Sequence, residues 1–234
     1  MTLKSRMERV EWKVAENSCD SAQNRAADPR VQQAVNDPYT WATEYTRTHN
    51  SHWLEEGRPS PYEPIPKKCY LEVVFTILLL ERIWWWEKSR DMMLTWACVA
   101  YLTLEAMKVA GREVLFQTQK EDKAAELVKY AKCLYQNQPG FLRQAFPLAK
   151  AIDQQPALSL EFRNGSRIIG IPGGANQIRS FHPWGYLNDE SSFQPDAGEC
   201  FHEALSAVRG KIIFNSSAGP GWYADARKDI IRNE

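Results

Sequence analysis

Apolar and polar positions along the chain follow two rhythms. Residues 67–81, 95–110 and 121–135 carry apolar side chains at helical spacing. The last of these stretches keeps Lys and Glu on its wet face and Ala, Leu and Val inside. Short apolar runs of strand length lie at 82–86, 113–118, 184–187 and 211–215. Strand, turn, helix, strand, helix is a βαβ rhythm, which predicts an α/β fold with a mainly parallel sheet and right-handed crossovers. Gly111 is placed to stop the helix before it, and Pro139-Gly140 to close the unit. Residues 158–162 and 167–171 flank Asn164-Gly165, a favoured hairpin turn. Gly173-Gly174 then opens a loop carrying Arg179, and residues 200–208 form a helix. The strand at 211–215 ends in Ser216-Ser217 and runs into a loop with Gly219, Pro220 and Gly221.

The first part of the chain reads differently. Residues 1 to about 27 are polar and mixed in charge, the composition of an arm. Tyr39, Trp41, Tyr45, Trp53 and Leu54 are spaced for a helix from Asp37-Pro38 to Glu56, stopped at Gly57, and Pro59, Pro61, Pro64 and Pro66 make a stiff connector. The division expected is a polar arm and helical appendage over residues 1–57 and a main domain over 58–234.

Composition narrows the field. At 234 residues the chain is long enough to bury a full core, and 44% hydrophobic with 25% charged residues is ordinary for a globular protein. Lys+Arg and Asp+Glu balance at 29 each, so any contact with nucleic acid must be local or shared among several copies. Cysteines at 19, 69, 98, 133 and 200 have no metal-ligand spacing and read as reduced thiols. The charged N-terminus is unlike a signal peptide, and the longest apolar run, 73–80, is too short to span a bilayer. No membrane partner is expected.

Four features carry candidate chemistry. Between the strand at 82–86 and the helix from 95 lie Lys88-Ser89-Arg90-Asp91-Met92-Met93-Leu94-Thr95. Strand, basic turn, hydroxyl residue and helix is the order of a phosphate-binding loop, in which backbone N–H groups attract phosphate, a Lys neutralises charge and a hydroxyl binds Mg²⁺. The usual glycines are missing, and Lys88 with Thr95 also reads as an exposed Lys beside a helix cap. Asp189-Glu190 ends an apolar strand, where an α/β fold binds ligands; Asp there can hold Mg²⁺ and Glu can orient an attacking water, though a solvated acidic strand end has the same letters. Ser216-Ser217 ends another strand, as a turn element or as a sensor of the terminal phosphate. Arg179 is either a surface cation or an arginine offered to a neighbour's nucleotide. Trp84, Trp85 and Trp86 read as core and helix-packing surface, with DNA stacking the alternative.

In this order, the residues resemble the ATPase domain of the large terminase subunit of tailed bacteriophages, the DNA-packaging motor. The resemblance runs from roughly 60 to 222 through Lys88–Trp96, Phe162-Arg163-Asn164-Gly165-Ser166, Gly173-Gly174 with Ile178-Arg179, Tyr186-Leu187-Asn188-Asp189-Glu190 and Phe214-Asn215-Ser216-Ser217. Lys88 matches the variant loop with its Lys at the front, Leu94 takes the standard Lys position, and Met93 stands where many relatives have Gly.

The resemblance implies a three-layer αβα P-loop NTPase of the ASCE type with an N-terminal helical arm, using ATP and Mg²⁺. It implies Lys88, Ser89 and Arg90 on phosphates, Thr95 and Asp189 at Mg²⁺, and Glu190 as base for water. It also implies Arg179 as the arginine given to the neighbouring subunit, Ser216 and Ser217 as the coupling motif, and Tyr62 near adenine, without the usual Gln. Partners implied are double-stranded DNA, the portal protein, the small terminase subunit and further copies in a pentameric ring, in the host cytoplasm and transiently at the procapsid. Full terminases continue into a nuclease domain. Few residues follow the serine pair, so no nuclease activity is expected of this chain. The rivals are a helicase-like ATPase acting on nucleic acid and a non-catalytic nucleotide-binding assembly module.

Overall fold

The computed structural model describes residues 25–219 and 221–232. After helix α1 (Pro29–Val35), a single helical turn at Pro38–Thr40 winds on as a π-turn, Trp41–Tyr45. Strands β1 (Thr48–His49) and β2 (Tyr62–Glu63) make a small antiparallel ribbon. Helix α2 (Cys69–Leu80) leads into β3 (Ile83–Lys88), α3 (Leu94–Lys108), β4 (Glu113–Gln117) and α4 (Glu121–Gln136). Next come α5 (Gly140–Ala145), β5 (Ser159–Glu161), β6 (Arg167–Ile171) and α6 (Ala175–Arg179). The chain continues through β7 (Gly185–Asp189), α7 (Ala197–Ala207), β8 (Lys211–Ser217) and α8 (Trp222–Arg232).

Six strands form one sheet in the order β3-β8-β7-β4-β6-β5. All neighbours are parallel except β5, which returns antiparallel on β6 through the Asn164-Gly165 turn. Strand β8 therefore lies between β3 and β7, and the three tips stand side by side.

Side-chain alternation sorts the sheet into two cores. Val114, Phe116, Leu187 and Ile213 face a layer of α2, α3 and α4, while Leu115, Tyr186, Ile212 and Phe214 face α6, α7 and α8. The result is a three-layer αβα sandwich, as the βαβ rhythm implied. Helix α3 is its centre: twelve of its fifteen residues are buried, so it is apolar all round rather than on one stripe. Close approach explains two glycines. A Cβ at Gly185 would stand 2.9 Å from Leu102 of α3, and one at Gly170 would stand 2.9 Å from the Ala124 carbonyl of α4. Val31, Ala34, Val35, Trp41 and Ala42 lie in the same core as α3 and α4.

The Trp triplet is packing material. Trp85 meets Phe201, Phe214, Trp222 and Tyr223, while Trp84 and Trp86 lie ring against ring at 5.1 Å.

Several sequence expectations need correction. The helix expected from 37 to 56 stops at Tyr45, because Thr48 turns the chain into the ribbon and its hydroxyl donates to the Glu63 carbonyl at 3.1 Å. Trp53 and Leu54 lie in turns, with Leu54 exposed. Pro139-Gly140 starts a helix, α5, rather than closing a unit, and Gly173-Gly174 opens α6, so Arg179 is helical. Helix α8 follows the expected glycine loop, in a stretch for which no element was expected. Lys88 is the last residue of its strand instead of a turn residue, while β8 ends in Ser216-Ser217 as expected. The expected arm lies outside the described residues up to position 24, as do Cys19 and Pro220. Cys69, Cys98, Cys133 and Cys200 are free thiols, and no helix among the described residues is long and apolar enough to cross a membrane.

Candidate functional site

The parallel register sets Lys88 beside Ser217 and sets Asn215 between Trp86 and Asp189. Alternation then divides the tips. Asp189 and Asn215 share the face of Leu187 and Ile213, toward α3, whereas Asn188 and Ser216 share the face of Tyr186 and Phe214.

On the α3 face the polar groups close on one another. Lys88 donates from Nζ to Thr95 Oγ1 at 2.6 Å and lies 3.6 Å from Asp189 Oδ1. Thr95 Oγ1 donates to the two Asp189 carboxylate oxygens, each at 3.2 Å. Asn215 Nδ2 donates to Asp189 Oδ1 at 2.6 Å and to Thr95 Oγ1 at 3.1 Å. The Thr95 hydroxyl thus fills its capacity of one donated and two accepted bonds. Asp189 is only 6% exposed, and this burial raises its pKa above the ordinary carboxylate value. The Lys88 ammonium opposes the rise, the Glu190 charge adds to it, and bonds from Thr95 and the Glu190 backbone lower it.

Backbone conformation marks the same place. Asp91 (φ 61°), Met93 (φ 55°) and Glu190 (φ 57°) are the non-glycine residues with left-handed backbone among the described residues. Such residues cost about 1–2 kcal/mol each and gather at functional sites. Two precede α3 and the third follows Asp189 directly. Met93, where the resembling family favours Gly, adopts a conformation that Gly takes without cost.

The other expected residues divide between the cluster and its surroundings. Ser89 and Arg90 are exposed in the turn after β3, and Ser89 lines an opening with Glu87, Lys88 and Ala218. Next to it is a cavity of about 280 Å³ bounded by Glu87, Ser192, Ala218, Gly219, Tyr223 and α8. Glu190 is exposed beside Asp189. Helix α4 walls that side: Tyr130 stacks on Trp96 at 4.0 Å, and its phenol is pushed up to about 12 by burial first, then by Glu126, with Asp189 and Glu190 adding to the effect. Ser216 is buried on the opposite face, its Oγ accepting from the Ser192 N–H at 3.0 Å, and Ser217 ends β8 beside Lys88.

Arg179 and Tyr62 do not join the cluster. Arg179 ends α6, exposed and ion-paired with Glu203 of α7. The chain just after it runs to the far end of the strands, where the His182 and Trp184 N–H groups bond to Glu113, the first residue of β4. Tyr62 is 47% exposed in the ribbon, edge-on to His49. Asn215 is the site residue that sequence reasoning left without a role; its only signal was its place before Ser216-Ser217.

The donor set is hard oxygen. It comprises the Thr95 hydroxyl, the Asp189 carboxylate and Asn215 Oδ1, which is buried and lacks a hydrogen-bond partner among the described residues. One carboxylate and one hydroxyl suit Mg²⁺, which keeps water and phosphate for its remaining positions.

No family model and no curated protein matches the sequence. In fold, the chain is similar to the large terminase of bacteriophage HK97, with a TM-score of 0.61 at 10% identity, over 85% of this chain and 41% of that one. The Thermus phage P74-26 large terminase ATPase domain is also similar, in a mutant (TM-score 0.48, 14% identity) and in an unmutated form (0.49, 11%). Each P74-26 match covers 76% of this chain, with 74% and 73% of theirs. This chain spans less than half the length of the HK97 protein. What the HK97 likeness carries is the architecture. By its fold, the chain is a three-layer αβα domain with a mainly parallel six-stranded sheet, similar to the HK97 large terminase.

Proposed function

We propose that this chain hydrolyses ATP with Mg²⁺ to drive double-stranded DNA into a viral procapsid, as the ATPase part of a large terminase. The observation that carries the reading is the convergence of Lys88 at the tip of β3, Asp189 at the tip of β7 and Thr95 in the first turn of α3, with Glu190 next in the chain. Without a nucleotide the ammonium has Asp189 as its counter-ion; a triphosphate offers it a stronger one. Lys88 then neutralises phosphate charge, with the Ser89–Arg90 turn beside it. Thr95 and Asp189 hold the metal, which supplies charge neutralisation to the phosphates when bound. Glu190 accepts the proton of the attacking water, and Ser216 and Ser217 report the state of the site through Ser192. In this reading residues 58–234 make up the ATPase domain and residues 1–57 its appendage. The portal protein, the small terminase subunit, a pentameric ring of copies and the host cytoplasm belong to the same reading.

Steady-state ATPase measurement of the wild type beside Lys88→Ala and Glu190→Gln tests it. Glu190→Gln should lose about 10²–10⁴-fold in kcat with nucleotide affinity retained. Lys88→Ala should lose on the order of 10²–10³-fold and bind ATP–Mg²⁺ more weakly. Calorimetry on the wild type separates the rivals. Binding without turnover points to a non-catalytic module or a missing partner subunit, and no binding removes both enzyme readings. Stimulation by single-stranded rather than duplex DNA points to a helicase-like enzyme.

A further inference from the structure

Beneath the Glu190 turn lies a buried polar network that the chemistry above does not use. Gln194 donates from Nε2 to the Asp189 carbonyl and to Asn188 Oδ1, both at 2.8 Å. Ser191 Oγ lies 2.7 Å from Asn188 Oδ1 and 3.0 Å from the Asn188 carbonyl. Asn188 Nδ2 donates to the Tyr186 hydroxyl at 2.8 Å, and that hydroxyl donates to Gln117 Oε1. Gln117 Nε2 completes the chain by donating to the carbonyls of Pro172 at 2.8 Å and Gly174 at 3.0 Å. All five side chains are buried: none is more than 4% exposed.

Uncharged polar groups at that depth are costly unless bonded, and these are bonded to one another. The direction of the bonds carries the inference. Residues after Glu190, namely Ser191 and Gln194, reach back to carbonyls before it, those of Asn188 and Asp189. They bracket a residue whose backbone is left-handed, φ 57° and ψ 41°. A glutamate keeps that conformation only where its surroundings hold it. The brace in turn hangs from β4 and from the loop after β6 through Gln117.

We propose that Gln194, working through Asn188 and Ser191, is a positioning residue that fixes the Glu190 turn so that its carboxylate stays beside Asp189. The inference rests on the ATPase reading of the site, and its test therefore has two arms. In the first, hydrogen exchange compares the wild type with Gln194→Met, which keeps the chain length and removes the amide. Exchange at the amides of residues 190–193 should quicken at least tenfold, with the interiors of β7 and β8 unchanged. Unchanged exchange at 190–193 overturns the proposal. In the second arm, steady-state kinetics should show a 10- to 100-fold fall in kcat with KM within twofold, and no further fall when Gln194→Met is added to Glu190→Gln. A loss that multiplies with that of Glu190→Gln, or one confined to KM, overturns it as well. A wild type without turnover removes the ATPase reading, and the exchange arm still decides whether the brace holds the turn. Should Gln194→Met fail to fold, Ser191→Ala removes one donor of the same brace and carries both arms.

Discussion

Asp189 holds its charge against its own surroundings. Burial raises its pKa more than Lys88 and the hydrogen bonds lower it, so the folded chain binds this proton more tightly than the unfolded chain does. The sign of the linkage follows. Below the ordinary Asp range both states are protonated and there is no penalty. As pH rises through the elevated folded value, stability is lost. Asp189→Asn keeps the shape and removes the charge, and Lys88 at the mouth of its opening can turn to water. At neutral pH, Asp189→Asn without nucleotide should therefore be more stable than the wild type. That gain should shrink as pH falls toward 4, while turnover is lost throughout. Thermal melts of both proteins across pH are the check, and a mutant less stable at neutral pH would contradict the sign.

At the scale of elements, the sheet was legible and its tips were less so. Strands β4, β7 and β8 are covered on both faces, so each appears in the sequence as an unbroken apolar run. The Asn164-Gly165 hairpin announced itself because Gly165, at φ 82°, does what only Gly does readily. The failures have a common cause: local spacing says nothing about what a segment packs against. Tyr39, Trp41, Trp53 and Leu54 are helically spaced, yet the ribbon captures the chain at Thr48. Trp222 and Tyr223 follow the glycine loop, and no expectation covered them, yet they start a helix and pack against Trp85. Lys88, Thr95 and Asp189 were readable from their order along the chain. Asn215 and Gln194 were not, because their roles exist only across strands.

The left-handed start of α3 yields a prediction at this scale. A β-branched residue is far less tolerant of φ 55° than the unbranched Met93. Met93→Ile should cost about 1–2 kcal/mol and lower Tm by several degrees. Met93→Gly trades that relief against greater freedom in the unfolded chain and should lie within about 1 kcal/mol of the wild type, with nucleotide binding intact. Denaturation and calorimetry on the two variants would show it. If instead Met93→Gly bound nucleotide and Met93 did not, the methionine would be closing the site.

The whole molecule leaves its site without an arginine from its own α6. Arg179 is exposed and paired with Glu203, and the chain just after it bonds to the first residue of β4, at the opposite end of the strands from Lys88. If it serves hydrolysis, it must serve that of another copy, and this can be tested by mixing. Arg179→Ala retains its own Lys88, Asp189 and Glu190 but offers no guanidinium to a neighbour. Glu190→Gln is the reverse, inactive at its own nucleotide yet able to lend its arginine. Each alone should be depressed, Arg179→Ala by on the order of 10³-fold. Mixed, they form interfaces where a working Glu190 faces a working Arg179, and activity should reappear in proportion to such contacts. Specific activity of the wild type should likewise rise steeply with protein concentration. Mixtures that never exceed the sum of their parts, beside wild-type turnover independent of concentration, would return Arg179 to the role its exposed ion pair already describes, a surface cation between two helices.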